Sequence, residues 1–122
     1  MILVDTSVWV DHLRRDDPVL AELLEHGLVL THPFVIGELA LGNLAQRAAI
    51  LGDLANLPQA KVASDDEVLH FIDRRQICGR GIGYLDAHLL AAAQLTPGAQ
   101  LWTRDKRLLS AASALSLAMP GP

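Results

Sequence analysis

Short apolar runs alternate along this chain with longer amphipathic stretches, a pattern that predicts strands followed by helices. Ile2-Leu3-Val4 opens the chain as a buried strand over residues 2–5. The helix behind it opens at Thr6 or Ser7 as cap and carries Val8, Trp9 and Leu13. Asp16-Asp17-Pro18 starts a second helix, with proline in the first turn and Gly27 at the end. Leu28-Val29-Leu30 is the next strand, and Pro33 opens a helix that Gly42 closes. A further helix covers residues 44–57 despite Gly52, ended by Pro58.

The second half continues the alternation. Residues 60–63 predict a short edge strand, and Ser64-Asp65-Asp66-Glu67 is a capping box whose helix turns Val68, Leu69 and Ile72 inward. A glycine-rich connection at 79–83 leads into a helix over 84–95, so apolar that most of it must be buried. Thr96-Pro97-Gly98 breaks it. A strand at 99–103, a helix from Asp105 and a last short strand near 115–118 complete the pattern. Strand–helix alternation of this kind predicts an α/β fold with a short, mostly parallel sheet flanked by helices. No repeat or linker interrupts it, so one domain over 1–122 is expected, with 119–122 as a frayed tail.

Composition narrows the function. The 122 residues are 51% hydrophobic, which is high for a chain of this size and predicts a second covered surface on the molecule. Aromatics at 4% leave little for base stacking, and a formal charge of −4 argues against a non-specific nucleic-acid coat. Cys78 is the only cysteine, so an intramolecular disulfide is excluded and a small buried thiol is expected. The N-terminus lacks leading basic residues and no apolar run approaches the length of a membrane span. A cytoplasmic location follows as the expectation.

Four acids stand out against this background: Asp5, Glu38, Asp86 and Asp105. Each follows an apolar run or lies in an apolar helix face, where an unpaired carboxylate is costly. Singly, three have an ordinary explanation, Asp5 and Asp105 as helix N-caps and Asp86 as a complement to a helix dipole; Glu38, about five residues into its helix on an apolar stripe, is harder to dismiss. Together they change the picture. Asp5 and Asp105 fall at the carboxyl ends of strands, where open α/β sheets bind ligands, and the helices carrying Glu38 and Asp86 start near that edge. Converging carboxylates repel, and Mg²⁺ or Mn²⁺ relieves the repulsion; no His/Cys spacing suits zinc. Arg80, Arg104, Lys106 and Arg107 lie close in sequence to these acids and are candidate phosphate contacts. Gly79-Arg80-Gly81-Ile82-Gly83 lacks the spacing of a dinucleotide fingerprint and is a flexible helix entry.

Four segments then carry a family resemblance: Val4-Asp5-Thr6-Ser7-Val8-Trp9, Gly37-Glu38-Leu39, Gly83-Tyr84-Leu85-Asp86-Ala87-His88-Leu89-Leu90-Ala91-Ala92-Ala93, and Trp102-Thr103-Arg104-Asp105. Over nearly its whole length the chain resembles the PIN-domain ribonucleases, and among them the VapC-type toxins of bacterial toxin–antitoxin pairs. The resemblance implies a three-layer α/β sandwich, a homodimer, Mg²⁺- or Mn²⁺-dependent RNA cleavage, and inhibition by a cognate antitoxin. It carries the acidic quartet onto Asp5, Glu38, Asp86 and Asp105, with Ser7 and Thr103 orienting the acids or a water behind them. One position departs. Where many relatives have a further aspartate two residues past the last acid, this chain has Arg107, which puts a fully liganded second metal in question.

The chemistry so implied is hydrolysis of a phosphodiester, with a 5′-phosphate and a 3′-hydroxyl as products. Alternatives fit less well. A receiver-like phosphoacceptor needs a lysine after the fifth strand, and neither Lys61 nor Lys106 is placed for it. A metal-dependent phosphatase needs an aspartate two after the first, where Ser7 stands. A PIN fold that binds RNA or protein without cutting remains the alternative reading.

Overall fold

The computed structural model describes residues 1–120. Its sheet has three parallel strands in the order β2-β1-β3: β1 Ile2–Val4, β2 Val29–Leu30 and β3 Gln100–Trp102. Leu3 pairs with Leu30 on one side and Leu101 on the other, and Val4 pairs with Trp102. Successive strand residues point to opposite faces. Leu3 and Val4 are both fully buried, as Val29 and Leu30 nearly are, so helices cover both faces of the sheet. The three layers expected from sequence are present.

Seven helices surround the strands among the described residues: α1 Thr6–Arg14, α2 Pro18–Glu25, α3 Pro33–Ala40, α4 Arg47–Ala55, α5 Asp65–Arg75, α6 Tyr84–Leu95 and α7 Lys106–Ala114. Their starts follow local chemistry. Asp17 caps α2 by accepting from the backbone N–H groups of Val19 and Leu20, just ahead of Pro18. Ser64 and Glu67 form a reciprocal capping box on α5. Asp105 caps α7 through the Leu108 N–H. His32 caps α3 with its Nδ1, which the sequence pattern did not signal.

The core is one large cluster around the sheet plus a smaller one between α5 and α6, built on Ala63, Val68, Ala87 and Ala91. In α6 every residue from Ala87 to Ala93 is buried, as its apolar run predicts. Its alanines leave room for close packing against α5 and β3. Fully burying a side chain such as Leu90 contributes about 1.5–3 kcal/mol.

Four local expectations are corrected. Residues 60–63 form no strand; pairing at that edge is a single bridge between Thr31 and Gln59. The last strand near 115–118 likewise shrinks to one bridge, Leu101 with Ala118. Leu69 points outward on α5 and is 55% exposed, because Val68, Phe71 and Ile72 already fill the face toward α6. Cys78 is exposed, since it lies beyond the end of α5 in the turn before the glycine-rich loop. At the chain end the Met119 N–H donates to the Leu101 carbonyl, which extends pairing into the stretch expected to fray; residues 121–122 lie outside the described residues. No helix among the described residues is long and apolar enough to cross a membrane.

Candidate active site

Parallel pairing sets the centre of the site. Because Val4 lies beside Trp102, the residues that follow them, Asp5 and Thr103, emerge together at the carboxyl edge of the sheet. The Asp5 N–H donates to the Trp102 carbonyl and fixes the backbone there. Asp5 is 6% exposed, and its Oδ2 accepts from two hydroxyls: Ser7 Oγ at 2.7 Å and Thr103 Oγ1 at 2.8 Å. Each hydroxyl in turn accepts a backbone N–H, from Arg104 onto Ser7 and from Asp105 onto Thr103. Both hydroxyl rotors are therefore fixed with their protons toward Asp5. Asp5 precedes α1 at the N-cap position without making a side-chain cap bond, which leaves its carboxylate to this network.

The other three acids arrive from three helices. Glu38 rides on α3, which packs against α1, and its Oε1 accepts from Thr6 Oγ1 at 2.8 Å. Asp86 lies in the first turn of α6, where its Oδ2 accepts the Gly83 N–H at 3.2 Å. Asp105 spends Oδ1 on the Leu108 N–H. Capping and convergence thus coexist at Asp86 and Asp105. A common pattern results: each carboxylate uses one oxygen for protein donors. Among the described residues the other oxygen of each accepts no hydrogen bond.

Burial differs from the expectation of four interior acids. Asp5 is buried and Asp86 half-buried, but Glu38 and Asp105 are exposed, because α3 and α7 bring them to the rim of the cleft rather than its floor. Electrostatics still joins them. Burial raises the Asp86 carboxyl above the ordinary carboxylate range; the Gly83 N–H opposes this, and the charges of Asp5, Asp105 and Glu38 raise it further. The four do not close into a cage: no three His, Cys, Asp or Glu side chains among the described residues stand close enough to hold an ion as they are. They form a loose acidic cluster at the carboxyl edge of the sheet, open to solvent at Glu38 and Asp105.

The candidate arginines behave differently from one another. Arg104 is spent on the protein itself: one guanidinium nitrogen bonds Asp11 on α1, another bonds Asp17 ahead of α2, and the group lies 5.7 Å from the Trp102 ring centre. Two carboxylates already engage its fork, so it ties α1 to the start of α2. Arg80 and Arg107 are exposed and pair with no carboxylate among the described residues. The sequence pattern marks Thr6 only as a helix cap, whereas its hydroxyl holds Glu38; its one signal is its place between Asp5 and Ser7. Asp11 and Asp17 carry no such signal, since their partner is 87 or more residues away.

Beside Glu38 lies a cavity of about 430 Å³, lined by Val10, Leu13, Leu39 and Ile50 together with Arg14. A short parallel sheet with acids gathered at its carboxyl edge is an α/β protein with its candidate site where such sheets bind ligands. The PIN domain model matches residues 2–114, and the chain belongs to the PIN domain family. It is 52% identical over 119 residues to Ribonuclease VapC32 of Mycobacterium tuberculosis, in strain CDC 1551 / Oshkosh and in strain ATCC 25618 / H37Rv alike. The alignment covers 98% of this chain and 96% of each relative.

Proposed function

We propose that this chain is a divalent-metal-dependent endoribonuclease and the toxin of a toxin–antitoxin pair. The observation that carries the reading is the 52% identity to a ribonuclease across 98% of the chain, in a fold where Ser7 and Thr103 hold Asp5 at the carboxyl edge of the sheet and the charges of Asp5, Asp105 and Glu38 reach Asp86. An all-carboxylate donor set suits a hard cation such as Mg²⁺ or Mn²⁺, and the unengaged oxygens of Asp5, Glu38, Asp86 and Asp105 would hold it. Such a cation, when bound, activates water and neutralises charge building on the phosphate.

The protein's own groups do the positioning. Ser7 and Thr103 lock Asp5 in one orientation, Thr6 anchors Glu38, and the Gly83 N–H steadies Asp86. Asp105, which is exposed, would bind the cation or orient the attacking water. Water is the nucleophile and the P–O3′ bond breaks, the 3′-oxygen leaving with a proton; cleavage so leaves a 5′-phosphate and a 3′-hydroxyl, and the 2′-hydroxyl takes no part. The chain then acts in the cytoplasm as a homodimer, and an antitoxin segment blocks the cleft by seating apolar side chains in the cavity beside Glu38.

The test is incubation of purified protein with total cellular RNA in Mg²⁺ or Mn²⁺, alongside EDTA and an Asp5→Asn control, with end-group analysis of the fragments. Discrete fragments bearing 5′-phosphates and requiring both metal and Asp5 are expected. A 2′,3′-cyclic phosphate end would overturn the mechanism. Metal binding and RNA binding without turnover would support a non-cleaving module instead.

A further inference from the structure

Arg107 occupies an unusual seat. A methyl group built on Gly81 would stand 3.1 Å from Arg107 Cδ and Nη1 and 3.4 Å from Cζ, so the guanidinium lies directly on the Gly81 backbone. Gly81 has φ +76°, as has Gly79, a conformation that residues with a Cβ rarely adopt. Two requirements therefore converge on Gly81: the left-handed backbone and the bare surface that Arg107 covers.

The seat belongs to the rim of the acidic cleft. Arg107 is two residues past Asp105 on α7, and Gly81 is two residues before Gly83, whose N–H binds Asp86. Asp86 senses the Asp105 charge, so these two acids, the loop and Arg107 share one edge of the molecule. Despite that company Arg107 makes no ion pair with any carboxylate among the described residues, whereas Arg104 nearby makes two. An exposed, unneutralised guanidinium packed on the loop that leads to Asp86 is free to meet an anion drawn to the same edge. The planar fork of arginine matches the oxygens of a phosphodiester. Arg80, exposed next to Gly81, adds a second positive charge on the same loop.

We infer that Arg107, seated on the glycine loop 79–83, binds the RNA backbone phosphate adjoining the one that is cut. The loop is its platform and sets how far it stands from the acids. This inference rests on the proposed RNA substrate. It assigns Arg107 to backbone binding, which fixes register without reading sequence.

The experiment measures binding apart from cleavage. Asp5→Asn protein in Mg²⁺ is titrated against a fluorescein-labelled single-stranded RNA oligonucleotide by anisotropy over a series of salt concentrations. Arg107→Ala added to this background is expected to weaken binding several-fold and to reduce the log–log salt slope by about 0.7, the share of one phosphate contact on a single strand. Arg107→Lys keeps the charge and recovers the slope but not the full affinity. Gly81→Ala keeps every charge yet displaces Arg107, so it should lower affinity as Arg107→Ala does. Lys61→Ala, on the exposed segment tied to Thr96 past the far end of α6, should change affinity far less. Thermal unfolding midpoints equal to the parent's confirm that the Arg107 variants fold. If RNA is cleaved by the unmodified protein but affinity and slope survive Arg107→Ala, the clamp is wrong and the nuclease stands. If the unmodified protein never cleaves yet the slope still falls with Arg107→Ala, Arg107 is a backbone contact of a non-cleaving RNA-binding site, and both the nuclease reading and the placement beside a cut phosphate fail. Unchanged RNA binding with weakened binding of an acidic protein partner would place Arg107 in an interface instead and overturn the inference.

Discussion

At the scale of single residues, the site depends on hydroxyls as much as on acids. Ser7 and Thr103 each donate to Asp5 and accept a backbone N–H, so neither rotor is free. Removing one leaves Asp5 Oδ2 with a single donor and frees the carboxylate to turn. Thr103→Val should therefore lower Mg²⁺-supported activity about 10–100-fold, the usual effect of losing a group behind a metal ligand. The check is a Mg²⁺ titration: if Thr103 positions Asp5, extra metal recovers part of the activity, and if it does not, the loss is insensitive to metal. Sequence exposed the identities of the four acids because each interrupts an apolar stretch. It did not expose their surroundings. That Glu38 and Asp105 reach the rim while Asp5 sits on the floor depends on where α3 and α7 dock, and nothing local encodes docking.

At the scale of elements, legibility follows the chemistry of the helix ends. The start of α2 at Pro18 and the start of α5 behind Ser64 were readable because the caps are short-range hydrogen bonds between residues two or three apart. α6 was readable over its full length, Tyr84–Leu95, from its apolar run and the glycines ahead of it. The strands at 60–63 and 115–118 were not, since a strand exists only if a partner aligns with it, and at both places one bridge forms and no more. Ser64→Ala removes one bond of the α5 capping box and should cost roughly 1 kcal/mol, measured as a lower urea midpoint at unchanged slope. Because α5 packs on α6, which carries Asp86, cleavage should survive the substitution near room temperature and fail at a lower temperature than in the parent.

At the scale of the whole molecule, burial of polar groups creates a pH dependence. His32 is fully buried; its Nδ1 accepts the Phe34 N–H and its Nε2 has no partner among the described residues. Burial, and to a lesser degree the nearby His88, hold its pKa down at about 4 against an ordinary 6.5. Between those values the unfolded chain binds a proton that the folded chain refuses. Stability is complete above the unfolded value and falls as pH drops from there toward the folded one. Going from about pH 7 to about pH 5 should cost on the order of 1–2 kcal/mol. His32→Asn keeps an acceptor for the Phe34 N–H, and its urea midpoint should fall less over the same interval, from a lower starting point. Equal acid sensitivity in the two proteins would remove His32 as the cause. A second property at this scale is association: Leu69, Tyr84, Leu85 and Leu109 are each exposed by 40% or more, and light scattering should return twice the mass of one chain if a homodimer covers such surface. By itself the sequence determined the α/β alternation and the starts of α2, α5 and α6, and it singled out the four acids as candidates, all through local hydrogen bonding, periodicity and residue chemistry. Only the tertiary structure decided that Asp5 meets Thr103 across 98 residues, that Arg104 ties α1 to the start of α2, and that Arg107 rests on Gly81. Those contacts come from strand register and helix docking, which are set by the packing of the whole core.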